Sequence, residues 1–379
     1  MTRVCHIISG LGTGGAEMML YNLVGRMDRS RFDVAVISLL DRGDLGGRIE
    51  RTGTQVRVLG MKRGIPTPTA LWRLRKQLKA LRPEVIQGWM YHGNLAATLG
   101  AALVGGDIPV VWGIHHSLYD LGQERFLTRQ VVRLGVRLSR SPAATVYVSR
   151  LGAGQHAAFG FDNTRARVIP NGFDGERFQP DPATRRAVRA ELGLDRDAVL
   201  VGLFARYHPM KDHGNLLRAA ARLIGSQPQA RFLLAGTQVD AANPELRGQI
   251  DRLGLQDKVI LLGERRDIPR WMAGLDILCM SSSHGEAFPM VVGEAMASGV
   301  PCVVTDVGDA GGLVGDTGRV VPPRDAEALA AALAALVALR PEQRLALGLA
   351  ARRRVLDHFS LDGVVGEYQA LYQALARPR

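Results

Sequence analysis

The sequence predicts an α/β protein of two doubly wound domains facing a central cleft. Three observations carry that prediction. Short apolar runs alternate with amphipathic helical stretches along nearly the whole chain, the pattern of parallel strands joined by helical crossovers. The 379 residues suit two domains of ordinary size, and with 46% apolar and 22% charged residues they can bury two cores. The alternation breaks once, at Pro170–Arg196, where Pro170, Asn171-Gly172, Pro180 and Pro182 punctuate the chain.

Strands of the first domain are expected at Val4–Ser9, Phe32–Ser38, Gln55–Leu59, Glu84–Gly88, Pro109–Gly113 and Ala144–Val148. Helices such as Ala16–Arg26 and Thr69–Leu81 separate them. A second series follows at Ala198–Phe204, Arg231–Ala235, Lys258–Leu262, Asp276–Met280 and Pro301–Thr305. From Asp325 to Ala376 the chain reads as helices rich in Ala, Leu and Arg, interrupted near Pro341 and Ser360. The division is therefore 1–170, a linker at 171–196, a second domain at 197–358, and a C-terminal helix at 359–379 that crosses back to the first domain.

Several classes of protein are excluded. The longest uncharged stretch, Val85–Gly106, holds Gln87, His92, Asn94 and a terminal Gly-Gly, a poor match to a lipid-facing helix. The N-terminal apolar run is too short for a secretory signal, so a cytoplasmic protein is expected. Cys5, Cys279 and Cys302 lie unpaired in apolar runs and read as buried thiols, not a disulfide or zinc set. Charge is lopsided. Through Pro180 there are 24 Lys and Arg against 13 Asp and Glu, and beyond it 24 against 23. An anionic partner is expected for the first half alone.

In a doubly wound domain, ligands meet the loops that follow the strands. After the first strand, Gly10-Leu-Gly12-Thr-Gly14-Gly15-Ala-Glu17 opens a helix whose free N–H groups can receive an anion. These glycines satisfy a dinucleotide-binding spacing, but the acid that would hold the ribose is missing unless Asp41 serves. After the strand Asp276–Met280 comes Gly285-Glu286-Ala287-Phe288-Pro289, then a helix carrying Glu294 and stopped by Gly299 and Pro301. Glu286 can meet hydroxyls at the mouth of the cleft and Glu294 a second diol, with the helix N-terminus meeting phosphates between them. A ribose, a diphosphate and a sugar fit that spacing.

Two glutamates separated by seven residues, followed by Ala-Met-Ala-Ser-Gly-Val-Pro, resemble the signature of the retaining glycosyltransferases of family 4, which have the GT-B fold of two Rossmann-like domains. The resemblance runs from Gly14-Gly15-Ala-Glu17 to Phe359-Ser360 and Tyr368. It implies that Glu286 contacts the hydroxyls of the donor sugar and Glu294 the nucleotide ribose, with Ala287, Phe288 and Pro289 lining the donor. Arg206 and Lys211, on the loop after Ala198–Phe204, resemble the family's diphosphate clamp, whose charge meets the charge growing on the leaving group. His115, in Trp112-Gly-Ile-His115-His116, matches the histidine that faces the donor sugar. Gly14 and Gly15 are expected on the donor side, Glu17 and His116 on the acceptor side.

Two departures from the family stand out: Ala287 where many members have Gly, and Asp309-Ala-Gly-Gly312 where a Glu is usual. Asp195-Arg-Asp197 has the form of a divalent-metal motif but precedes a strand, so it is read as a surface turn. No metal and no other cofactor is expected.

Arg125, Arg129, Arg133, Arg137 and Arg140 recur along Gln123–Arg140, with Leu127, Val131, Leu134 and Leu138 expected on the opposite, buried side. Arg73, Lys76, Lys79 and Arg82 repeat the theme beside Leu71, Leu74, Leu78 and Leu81. The stripe is read as a contact with an anionic membrane surface. Nucleic acid is not expected, because no aromatic platform lies among the arginines. The resemblance implies an enzyme moving a sugar from a UDP- or GDP-sugar to a lipid-linked saccharide in bacterial surface polysaccharide assembly, and the basic stripe is read as placing it at the inner face of the membrane. The alternatives are a nucleotide-sugar isomerase or epimerase of the same fold and a nicotinamide oxidoreductase.

Overall fold

The computed structural model describes residues 1–12, 14–62, 67–119, 121–123 and 126–376. The chain divides into two compact units, Met1–Gly172 with Leu361–Arg379, and Phe173–Ser360.

The first unit holds seven strands: β1 (Thr2–Ile8), β2 (Phe32–Ser38), β3 (Gln55–Val58), β4 (Val85–Trp89), β5 (Val110–Ile114), β6 (Ala144–Tyr147) and β7 (Ala166–Val168). They form one parallel sheet in the order β3-β2-β1-β4-β5-β6-β7. Buried on both faces, β4, β5 and β6 read in sequence as largely apolar runs, interrupted only by Gln87 and Thr145. Separate cores fill the two faces, one around Leu20, Leu23, Val34 and Trp89, the other around Ile7, Leu74, Ile86 and Trp112. Helix Leu361–Leu375 completes the first of these with Val364, Val365, Tyr368 and Tyr372.

The second unit holds β8 (Val199–Phe204), β9 (Ala230–Ala235), β10 (Val259–Leu261), β11 (Ile277–Met280), β12 (Cys302–Thr305) and β13 (Arg319–Val321). Their order is β10-β9-β8-β11-β12-β13, again parallel. From Phe173 on, the segment expected as a linker belongs to this unit. Helix Pro182–Glu191, capped by the Asp181 carboxylate, packs against helix Ile268–Gly274. Pro182 suits the first helical turn, so a residue read as punctuation starts a helix. Two strands, β7 and β13, lack a counterpart in the sequence reading. Each is a three-residue edge strand carrying an arginine, too short and polar to register as an apolar run.

Strand order reverses between β1 and β4 in the first sheet and between β8 and β11 in the second. Such reversals open a crevice at the carboxyl ends of the strands.

Candidate active site

In the second unit the loops after β8 and β11, the two strands flanking the reversal, are fastened together. Ser281 Oγ donates to the carbonyls of Lys211 (2.9 Å) and Asp212 (3.0 Å), and the Ser283 amide donates to the Met210 carbonyl (2.8 Å). Gly285, at φ +77°, passes so close to Met210 that a Cβ there would sit 2.4 Å from Sδ. This fastening brings two expected site residues into contact. Lys211 Nζ lies 2.5 Å from Glu286 Oε1, which also accepts from Ser282 Oγ at 2.6 Å. Thr305 Oγ1, on β12, donates to the Ser282 carbonyl at 2.6 Å and steadies the serine. Ser282 and Thr305 had no motif to announce them; the register of β11 with β12 brings them in.

Gly308 (φ +62°) lies against the other side of Glu286, where a Cβ would meet the Glu286 carbonyl at 2.3 Å. The Asp309 amide then donates to the Ala287 carbonyl at 2.9 Å. The loop that departs from the family pattern thus supports the glutamate loop through its backbone.

Pro289 is the N-cap of helix Met290–Ala297, and no side chain caps its first amides. Those free N–H groups and the positive end of the helix dipole make an anion seat directly after Glu286-Ala287-Phe288. Glu294 lies little more than one turn into this helix, nearer the end than the two turns expected. It is half-buried, and burial pushes its carboxyl up to about 7 against a smaller opposing pull from Arg177. The Phe288 ring stacks on Phe173 with centroids 6.1 Å apart.

Positive charge gathers on the same loops. Arg206 is exposed, and His208 is held below its usual value first by burial, then by Arg206, His284 and Lys211. Three basic side chains gathered about His208, two of them cationic, mark a place where an anion would be welcome. His213, buried behind them, is pushed down to about 4, chiefly by burial, so it stays neutral.

In the first unit, His115 follows β5 and stacks on Trp89, the last residue of β4, at 4.8 Å and 24°. Trp89 in turn stacks on Tyr368 and donates from Nε1 to His6 Nδ1 at 3.0 Å. Both nitrogens of His115 are shielded from water, and burial, outweighing the Asn171 side chain, pushes its pKa down to about 4. His115 is therefore a neutral imidazole. His116 points elsewhere, edge-on to Tyr91 at 6.1 Å and 83°. Tyr91 Oη is 2.8 Å from His156 Nε2, while His156 Nδ1 is 2.7 Å from the Gly152 carbonyl. That carbonyl only accepts, so Nδ1 carries the proton and Tyr91 donates. Trp89, Tyr91, His6 and His156 went unnoticed in the sequence; the apolar run ending at Trp89, before the strained Met90 (φ +61°), was the available signal. Gly14 is the N-cap of helix Gly15–Arg26, which places Glu17 in its first turn.

The basic stripe differs from its expectation. Arg125 lies outside the described residues. Helix Phe126–Leu138 turns Val132 and Gly135 to the core, not Leu127 and Leu134. Leu134 is two residues, about 200°, from Val132, and is 45% exposed. Leu127, Phe126, Arg133 and Arg137 are all exposed, while Arg129 is half-buried with its guanidinium over the Phe126 ring. Helix Met90–Val104 packs against this helix and against Pro68–Leu81, which exposes Trp72 (57%) beneath the ammonium of Lys76. The surface is mixed, apolar and basic together.

The family model for glycosyltransferase family 4 matches residues 13–177, and that for glycosyl transferases group 1 matches 196–338. This chain is a family 4, group 1 glycosyltransferase. The glycosyltransferase is 29% identical to EpsF of Bacillus subtilis (strain 168) over 321 residues, 80% of this chain and 79% of that one. It is 32% identical over 219 residues to the lipopolysaccharide core biosynthesis mannosyltransferase LpsB of Rhizobium meliloti (strain 1021), 55% of this chain and 61% of that one. Among solved structures it resembles Anabaena HepE in complex with UDP and glucose, with TM-score 0.86 and 22% identity over 99% of this chain and all of that one. It also resembles WaaG, a glycosyltransferase involved in lipopolysaccharide biosynthesis, with TM-score 0.73 and 16% identity over 97% and 99%. The glycosyltransferase has the two parallel-sheet α/β domains of the GT-B fold. Its family membership sets aside the nicotinamide reading of the glycine loop.

Proposed function

We propose that this glycosyltransferase moves a sugar from a UDP- or GDP-sugar to a lipid-linked saccharide in bacterial surface polysaccharide assembly, with retention and without a metal ion. One observation carries the reading: the Lys211–Glu286 contact at the strand reversal of the second sheet, beside Arg206 and an uncapped helix N-terminus. That set suits a sugar diphosphate. Lys211, Arg206 and the helix amides meet the diphosphate, Glu286 the sugar hydroxyls, and Glu294 the ribose. Ala287, Phe288 and Pro289 line the donor. From the first unit, Gly14, Gly15 and His115 are proposed donor contacts, Glu17 and His116 acceptor contacts.

In the step, the acceptor hydroxyl oxygen bonds to the anomeric carbon as the bond from that carbon to phosphate breaks. The departing phosphate oxygen takes the acceptor proton. Charge on the leaving diphosphate grows through the step, so Arg206 and Lys211 act most strongly at the transition state.

LpsB, a lipopolysaccharide core biosynthesis mannosyltransferase, lends support to a surface-saccharide acceptor. The exposed Trp72, Phe126, Leu127 and Leu134 among basic side chains support a seat on an anionic membrane, where apolar groups enter the interface and basic ones face lipid headgroups. Among the described residues no helix is long and apolar enough to cross a membrane. The test is transfer of radiolabelled sugar from a panel of UDP- and GDP-sugars into extracted lipid-linked saccharides, with and without EDTA. Label in the lipid fraction with an unchanged anomer, insensitive to EDTA, is expected. Sugar-nucleotide turnover without any acceptor would instead favour the isomerase reading.

A further inference from the structure

A recess of about 680 Å³ opens at the other end of the second sheet, where β8 and β11 begin. Its wall carries Arg185, Arg186, Arg189, Arg196 and Arg344 against two carboxylates, Asp197 and Asp276. Six residues of β8, at about 3.3 Å each, separate this recess by roughly 20 Å from the loop bearing Arg206 and Lys211. The two places are distinct.

Part of this charge is structural. Asp276 accepts from Arg185 at 2.6 Å, from Arg189 at 2.9 Å and from the Leu200 amide at 2.8 Å. Arg344 donates from Nη1 to the Val337 carbonyl at 2.9 Å, closing the end of helix Ala326–Val337. These bonds explain three arginines and one aspartate. They leave a surplus. Arg344 is 8% exposed, yet its Nε has no hydrogen-bond partner. Burial lowers its pKa against an opposing pull from Asp276, and the nearby Arg185 and Arg189 lower it further. At the rim, Arg186 and Arg196 make no hydrogen bond or close ion pair among the described residues, and the Arg186 charge acts on Asp181 from further off. Structural stitching requires neither the open volume nor the rim arginines.

We propose that this recess binds a phosphorylated small molecule, its phosphate held by Arg186, Arg196 and Arg344. Guanidinium forks match phosphate oxygens in pairs. Gln227 and Gln229 offer amides to hydroxyl groups, while Val337, Leu339 and Pro341 give an apolar wall to a ring. The volume accommodates a nucleoside monophosphate or a sugar phosphate, and both present the same phosphate ester. Because the recess shares no residue with the proposed donor site, the assignment stands independently of it.

Calorimetry with inorganic pyrophosphate on the full chain tests the proposal, comparing wild type, Arg186→Gln/Arg196→Gln, Lys211→Ala and the combination of all three. Both rim arginines are exposed, so the double variant keeps the fold, which an unchanged melting temperature verifies. The expected result is binding that persists in Lys211→Ala and weakens roughly tenfold or more when the two rim substitutions are added to Lys211→Ala. Equal binding with and without the rim substitutions in that background would overturn it, as would binding abolished by Lys211→Ala alone. AMP and glucose 1-phosphate, titrated separately into Lys211→Ala, distinguish the two sources, the tighter naming the class. Binding of pyrophosphate with neither ester would overturn the assignment of an esterified ligand.

Discussion

Lys211 and Glu286, seventy-five positions apart in the chain, share a 2.5 Å contact that joins the loops after the two central strands of the second sheet. Neither side chain is well exposed, at 20% and 11%. The pair has two roles, one in holding the loops and one in meeting a ligand, and variants can separate them.

Lys211→Ala leaves the Glu286 carboxylate buried with Ser282 as its remaining hydrogen-bond donor. It should cost about 1–3 kcal/mol of stability, the penalty of a stranded polar group. Lys211→Ala/Glu286→Gln should recover most of that loss, because it removes the unpaired charge. Turnover should fall by orders of magnitude in Lys211→Ala and should not return in the double variant. Thermal melts and sugar-transfer assays on the same preparations check both halves. Arg206→Ala, at an exposed position, should lower turnover while leaving the melt unchanged.

Glu294 carries a pH signature. Its folded-state pKa is about 7, against 4.5 for the free side chain. Between those values the folded state holds the proton more tightly than the unfolded one. The stabilisation is therefore fully present below about 4.5 and is lost as pH rises through about 7. In Glu294→Gln the melting temperature should lose this fall between pH 5 and 7, and a slope identical to wild type would reject the assignment.

The buried histidines act in the opposite sense. His6 is pushed down to about 3, and His115, His156 and His213 to about 4, each chiefly by burial. Unfolded, each would titrate near 6.5, so below that pH the unfolded chain binds more protons. Stability contributed by the neutral rings is present above about 6.5 and is lost as pH falls toward 4. Urea midpoints at pH 7 and pH 5 should differ, the lower pH being weaker.

Membrane attraction should have two components. Replacing Arg129, Arg133 and Arg137 with glutamine should cut sedimentation with anionic liposomes, each charge near the surface contributing about 1 kcal/mol. Leu127→Gln/Leu134→Gln should also cut it, with less dependence on salt. Because both leucines are exposed, these changes leave the core intact. Sedimentation unaltered in both variants would make the surface an ordinary wet face.

Long buried strands were legible in the sequence because burial on both faces writes itself as an apolar run, as in β4, β5 and β8. The glutamate loop was legible because its glycines and prolines are local signals. The stripe was legible as charge but not as a face. Leu127 and Leu134 look like core residues at helical spacing, and only the packing of Val132 decides the helix rotation. Trp89 and His156 were invisible for a related reason: their partners lie on other strands and helices, and sheet register is not written in any one segment. The arginine-lined recess stayed hidden because its members come from Arg185 to Arg344, across most of the second unit.

The central claim is that the loops bearing Lys211 and Glu286, with helix Met290–Ala297, form a nucleoside-diphosphate site. Calorimetric titration of UDP and GDP into wild type and Glu294→Ala tests it most directly. The expected result is one nucleotide bound per chain by wild type, and binding roughly ten- to a hundredfold weaker in Glu294→Ala, as follows from a lost hydrogen-bond acceptor for the ribose. Failure of both nucleotides to bind wild type, or equal binding by the folded variant, would contradict the account.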